Sequence, residues 1–135
     1  MTRVVRGVRG ATTAAANTPE EIFRATRELM LAVIEANDLH PEDVASVMLT
    51  MTPDLNADFP AKAVRSIDGW QWVPLMCATE LAVPGSMPRC IRLLMHVNTD
   101  RSQEEMVHMY LGEAVALRPD MVQHAQAKKG QGGTE

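Results

Sequence analysis

"VVRGVRGATT", residues 4–13, reads as a β-strand that carries a cation where a core would take a methyl-rich side chain. Val4, Val5 and Val8 supply the β-branched character that a pleated strand favours. Alternate side chains go to opposite faces, so Arg9 shares a face with Val5, Gly7 and Ala11. Arg6 goes with Val4, Val8 and Gly10. The small neighbours of Arg9 leave room, and room beside an arginine suits an anion. An edge strand with a solvated arginine is the plainer reading. The stretch by itself leaves both open.

The segments that follow set the fold class. "NTPEEIFRATRELMLAVIEAN" has Thr18 at the N-cap, Pro19 at the first helical position and Glu21 completing a T-x-x-E capping box. Ile22, Thr26, Leu29, Met30, Val33 and Ile34 recur at helical spacing and mark its inward side. After the turn formers of "NDLHPED", "VASVMLTMT" (44–52) alternates as a second strand with Val47, Leu49 and Met51 on one face. A short helix is expected to start near Pro60. "WQWVPLMC" (70–77) is a third strand candidate in which Pro74 implies an edge position or a break. "RCIRLLMHVN" (89–98) is the most apolar strand.

Ser102 and Glu105 form a second capping box, which predicts a helix with Met106, Val107, Tyr110 and Leu111 inward. "EAVALRP" (113–119) supplies a short last strand. From Met121 the chain loses periodicity and gains Gln, Lys and Gly, so residues 121–135 read as a mobile tail after a domain at 1–120. The order is β-α-β-α-β-β-α-β: a single α/β (mixed α+β) domain, with helices largely on one face of the sheet. So few helices leave the other face or an edge for a partner subunit.

At 135 residues the chain suffices for one domain with a real core. A net charge of −4 disfavours general attraction to nucleic acid or an anionic membrane, so any anion site must be a local cluster of cations. No window approaches the ~18 apolar residues of a membrane span, and the first ten residues lack the apolar core of a signal peptide. Cys77 and Cys90 are read as reduced thiols in a cytoplasmic protein, and the four histidines lack metal-ligand spacing.

Within the apolar run at 89–98, Arg92 shares a face with Cys90, Leu94 and His96. A buried guanidinium needs a carboxylate or phosphate partner, either a structural ion pair or a ligand. Phe59, Lys62 and Arg65 fall close to one face of the helix that begins near Pro60. In "CATE" (77–80), Cys77 and Glu80 offer a thiol and a carboxylate with no histidine nearby to make a nucleophilic dyad. Tyr110, the only tyrosine, needs a partner for its hydroxyl from either core or ligand. Two arginines, a lysine, a tyrosine hydroxyl and one carboxylate suit a small organic anion held by its carboxylates. They do not name a reaction.

The words "RGVRGATT", "TPDLNADFPAKAVR", "GWQWVPLMCATEL", "VPGSMPRCIRLL" and "LGEAVALRPD" resemble those of the AroH-type chorismate mutases, in the family's order and spacing over residues 3–120. The resemblance implies a five-stranded mixed sheet and a pseudo α/β-barrel homotrimer with active sites in clefts between subunits. It implies conversion of chorismate to prephenate, without a cofactor or metal. Arg9 matches the arginine on a substrate carboxylate, Arg92 the one beside the ether oxygen, and Glu80 the carboxylate facing the ring hydroxyl. Cys77 and Tyr110 match further polar contacts. Phe59, Ala61, Lys62, Arg65, Met76, Ala78, Thr79 and Leu117 match the substrate-binding wall and C-terminal closure. A trimeric deaminase-like enzyme and a non-catalytic module binding an aromatic-pathway acid are the alternatives.

Overall fold

The most apolar run of the sequence becomes the middle strand of the sheet. The structure is a computed structural model and describes residues 3–132. Its five strands are β1 (Val4–Thr13), β2 (Val44–Met51), β3 (Leu75–Thr79), β4 (Cys90–Thr99) and β5 (Met109–Tyr110). They lie in the order β3-β2-β4-β1-β5. β4 runs antiparallel to both β1 and β2, while β3 and β5 lie parallel to β2 and β1 on the outside. This is the mixed five-stranded sheet that the sequence implied.

Helix α1 (Pro19–Asn37) covers one face. Thr18 caps it by accepting the Glu21 N–H at 3.2 Å. The Glu21 carboxylate closes no reciprocal bond and instead takes Arg24 at 2.5 Å. Leu29, Met30 and Val33 of α1 meet Val8, Leu49, Leu93 and Met95 in a buried core. Gly10 permits this close approach: a Cβ there would lie 3.1 Å from Leu29 Cδ1 and 3.2 Å from Val33 Cγ2. Overpacking of that kind typically costs 1–3 kcal/mol.

Four local expectations give way. Residues 70–72 form a 3-10 turn, and the third strand starts only at Leu75, after Pro74. The strand is an edge strand, and the Pro74 carbonyl accepts the Val47 N–H at 3.0 Å. The Ser102–Glu105 capping box forms both of its bonds, at 2.9 and 3.3 Å, yet closes only a turn. Tyr110, expected on a helix, lies in β5 beside Ala11. "EAVALRP" is no strand: Gly112–Leu117 is a 3-10 helix. Of the expected aperiodic tail, residues 121–132 are helical, because α3 runs Pro119–Gly132, and residues 133–135 lie outside the described residues. Its Met121 and Val122 pack against the buried group Ala11, Tyr110 and Ala114. Between β2 and β3, the helix expected near Pro60 is α2 (Ala61–Arg65). No helix among the described residues is long and apolar enough to cross a membrane.

Candidate functional site

Strand alternation sorts the candidate residues between the two faces of the sheet. Opposite the α1 side, Arg9 of β1 faces Leu94 of β4, and Ala11 faces Arg92. Arg92 in turn faces Thr50 of β2, which faces Ala78 of β3. Arg9 and Arg92 are therefore diagonal neighbours on one open face. Met76 and Ala78 share it, and Glu80 continues the same alternation one step past β3. The Glu80 N–H donates to the Met51 carbonyl at 2.8 Å, which keeps this residue in line with the ladder.

The isolated cation of the apolar strand has its partner here. Arg92 Nε lies 3.0 Å from Glu80 Oε1. The Nε–H is buried but not aimed at that oxygen, so the contact is an ion pair without a directed hydrogen bond at Nε. Thr50 donates to the same Oε1 at 2.5 Å. The Tyr110 hydroxyl is buried with no hydrogen-bond partner among the described residues, and Leu117 packs against its cluster. Between β1 and α3, a cleft of about 590 Å³ is lined by Arg9, Leu94, Met106, His108, Asp120 and His124.

Arg9 itself is exposed, but its strand is not an edge in the usual sense, because β5 pairs with β1 at Gly10 and Ala11. One residue earlier, the Arg9 N–H donates to His108 Nδ1 at 2.9 Å. Burial pulls the His108 pKa below its ordinary value, and the charges of Arg9, Arg118 and His124 add to this. His108 therefore acts as a neutral acceptor.

The remaining candidates lie on the helix side. Cys77 faces Leu49 in the ladder and packs against the main core. Burial pushes its thiol up, against the opposing pull of the Ala61 backbone N–H and the Arg65 charge. A thiol held protonated is a poor nucleophile. Thr79 shares that alternation. Ala61 is buried in α2, Lys62 pairs with Asp58 at 3.0 Å, and Phe59 is 69% exposed just before the helix. The chain thus brings Arg9, Arg92, Glu80, Tyr110 and Leu117 to one side of the sheet. Phe59, Ala61, Lys62, Arg65 and Cys77 gather about α2 on the other side of the edge strand.

Two contacts were missed in the sequence. In "VASVMLTMT" the apolar alternation marks Val47, Leu49 and Met51, and the same alternation puts Thr50 on the side of Arg92. Histidine spacing bears only on metal binding, and no local pattern links His108 to a residue 99 positions away.

The family described as chorismate mutase type I matches residues 5–121. The protein named Chorismate mutase AroH of Bacillus subtilis (strain 168) is 49% identical over 118 residues, which cover 87% of this chain and 93% of that protein. Chorismate mutase AroH of Thermus thermophilus is 52% identical over 119 residues, 87% of this chain and 97% of its own. A solved chorismate mutase from Clostridium thermocellum is similar with a TM-score of 0.79 and 44% identity. That match covers 82% of this chain and 97% of the other.

Proposed function

Because the chain belongs to the chorismate mutase type I family, and so rearranges chorismate to prephenate, we propose that Arg92 provides the main electrostatic stabilisation of that reaction. The rearrangement is intramolecular: a C–O bond breaks as a C–C bond forms, and no proton needs to move. The site has only to select the folded conformer of the substrate and match the charge that develops. Negative charge grows on the ether oxygen, and the guanidinium of Arg92 is a fixed cation for it. Glu80 accepts the ring hydroxyl of the substrate and complements the positive character of the ring fragment. Arg9 binds a carboxylate, Tyr110 donates its otherwise unpaired hydroxyl, and Leu117 helps close the cleft. The observation that carries this reading is the Arg92–Glu80 pair on the open face of the sheet.

The division of candidates between two faces supports a site assembled from two copies. Phe59, Ala61, Lys62, Arg65, Cys77 and Thr79 would form one wall, and the arginine face of a neighbouring copy, which also carries Met76 and Ala78, the other. Val5 (57% exposed), Met76 (65%), Met48 (37%) and Leu94 (37%) leave the open face apolar, as a buried interface requires. We assign a homotrimer with three interfacial sites, acting in the cytoplasm without a cofactor.

Arg92→Lys tests the mechanism, because lysine keeps the charge and loses the planar fork. Followed by loss of chorismate absorbance, kcat should fall by about 10²-fold or more in a folded variant. Retention of kcat within about threefold, under ~0.7 kcal/mol, would refute the ether-oxygen role.

A further inference from the structure

Thr50 stands between the two charged groups of the site. It lies opposite Arg92 in the β2–β4 ladder and opposite Ala78, two residues before Glu80, in the β2–β3 ladder. Its Oγ1 is 2.5 Å from Glu80 Oε1, and a carboxylate only accepts, so the hydroxyl is the donor. Arg92 Nε approaches the same Oε1 at 3.0 Å. No hydrogen bond from the described residues reaches Glu80 Oε2, and none runs from the terminal nitrogens of Arg92 to an oxygen.

This arrangement departs from what the two groups would do alone. An arginine and a carboxylate prefer a bidentate, fork-to-fork pair with two parallel N–H···O bonds. Such a pair would occupy both carboxylate oxygens and the donors that an anionic ligand needs. A hydroxyl anchored on β2 competes for Oε1 and turns the carboxylate out of that geometry. The backbone bond from Glu80 to Met51 fixes the other end of the residue.

We propose that Thr50 is a positioning residue: its hydroxyl holds Glu80 by Oε1, so that Oε2 stays open to the ring hydroxyl of the substrate and the Arg92 fork stays open to the ether oxygen. The inference rests on the roles assigned to Glu80 and Arg92 above. Thr50 needs no contact with substrate. Its effect belongs to turnover rather than to affinity, because it orients groups that act as charge develops.

Five forms of the chain separate these claims: wild type, Thr50→Val, Thr50→Ser, Glu80→Ala and the Thr50→Val/Glu80→Ala double variant, each assayed for kcat and KM on chorismate. Valine keeps the branched shape of threonine on a strand and puts a methyl group in place of the hydroxyl. Thr50→Val should lower kcat about tenfold with KM changed less than threefold, and Thr50→Ser should stay within threefold of wild type. In the Glu80→Ala background the valine should change kcat by less than twofold, because the contact it removes is already gone. The proposal is overturned if Thr50→Val keeps wild-type kcat while Glu80→Ala does not, or if valine costs the same tenfold in both backgrounds. If Glu80→Ala itself turns over like wild type, the role of Glu80 fails and the inference falls with it. Should the valine variant not fold, Thr50→Ala carries the same prediction.

Discussion

Asp54 accepts the backbone N–H of Arg89 on both carboxylate oxygens, at 2.9 Å from Oδ2 and 3.1 Å from Oδ1. Arg89 has φ +49°, in the left-handed region that costs an L-residue roughly 1–2 kcal/mol. Asp54 therefore holds a strained residue at the entrance to β4, three positions before Arg92. The Thr52 hydroxyl, first, and the Arg89 N–H, after opposing burial, keep the Asp54 carboxyl below its usual range. Its folded pKa is depressed, so the stabilisation is complete above the unfolded value, ~3.9, and is lost as pH falls through the folded one. Asp54→Asn should lower stability at pH 7 by about 1 kcal/mol, a charge-assisted bond discounted for solvent exposure. Thermal unfolding of the variant should also be flatter with pH than wild type below about pH 4. Parallel curves for the two proteins would show that the clamp contributes nothing.

His108 gives a second pH dependence, of opposite chemistry. Its Nδ1 can accept the Arg9 N–H only while unprotonated there, and burial lowers its pKa. The unfolded chain takes up this proton near pH ~6.5, before the folded chain does. Stability is therefore unaffected above that pH and declines as pH falls toward the folded value. In His108→Asn, the Oδ1 occupies the place of Nδ1 and accepts without titrating. Melting curves from pH 7.5 down to 5 should show wild type losing more Tm than this variant over that range. An equal loss in both would remove His108 from the account.

The open face was legible because strand alternation is a rigid rule. Arg9 beside Gly7 and Ala11, and Arg92 beside Leu94, fix their side once the strands are identified. The ion partner of Arg92 was a different matter. Glu80 was visible as a carboxylate, but strand pairing, a long-range property, decides that it meets Arg92. Residues 102–111 misled for a local reason: S-x-x-E satisfies its two bonds within a single turn, whether or not a helix follows. A two-residue strand such as β5 is too short to have a period at all. α3 was missed because "MVQHAQAKK" carries helix propensity in its Ala, Gln, Met and Lys without an apolar stripe to reveal it.

Tyr110 separates stability from activity. Its hydroxyl is buried, and no described residue pairs with it. Removing an unpaired buried polar atom is neutral or stabilising by up to ~1 kcal/mol. If the hydroxyl serves the ligand, Tyr110→Phe should leave Tm unchanged or higher while kcat/KM on chorismate falls by about tenfold, the worth of one hydrogen bond of ~1.4 kcal/mol. A variant with full kcat/KM would assign Tyr110 to packing alone.

The interfacial site stands or falls with the open face of the sheet. Val5 belongs to that face, paired with Asn98 of β4 and four residues along the strand from Arg9. Its 57% exposure means that an aspartate there need not disturb the core on the α1 side. In an assembly, however, that carboxylate would be buried in the apolar patch that Val5 shares with Met48, Leu94 and Met76, at a cost of several kcal/mol per interface. Val5→Asp should therefore sediment as a folded monomer, with circular dichroism like wild type and kcat/KM reduced at least 10²-fold. The loss would follow from separating the arginine face of one copy from the Lys62 and Arg65 wall of the next, because no residue of either set is altered. A Val5→Asp monomer that keeps wild-type activity would place the whole site within one chain.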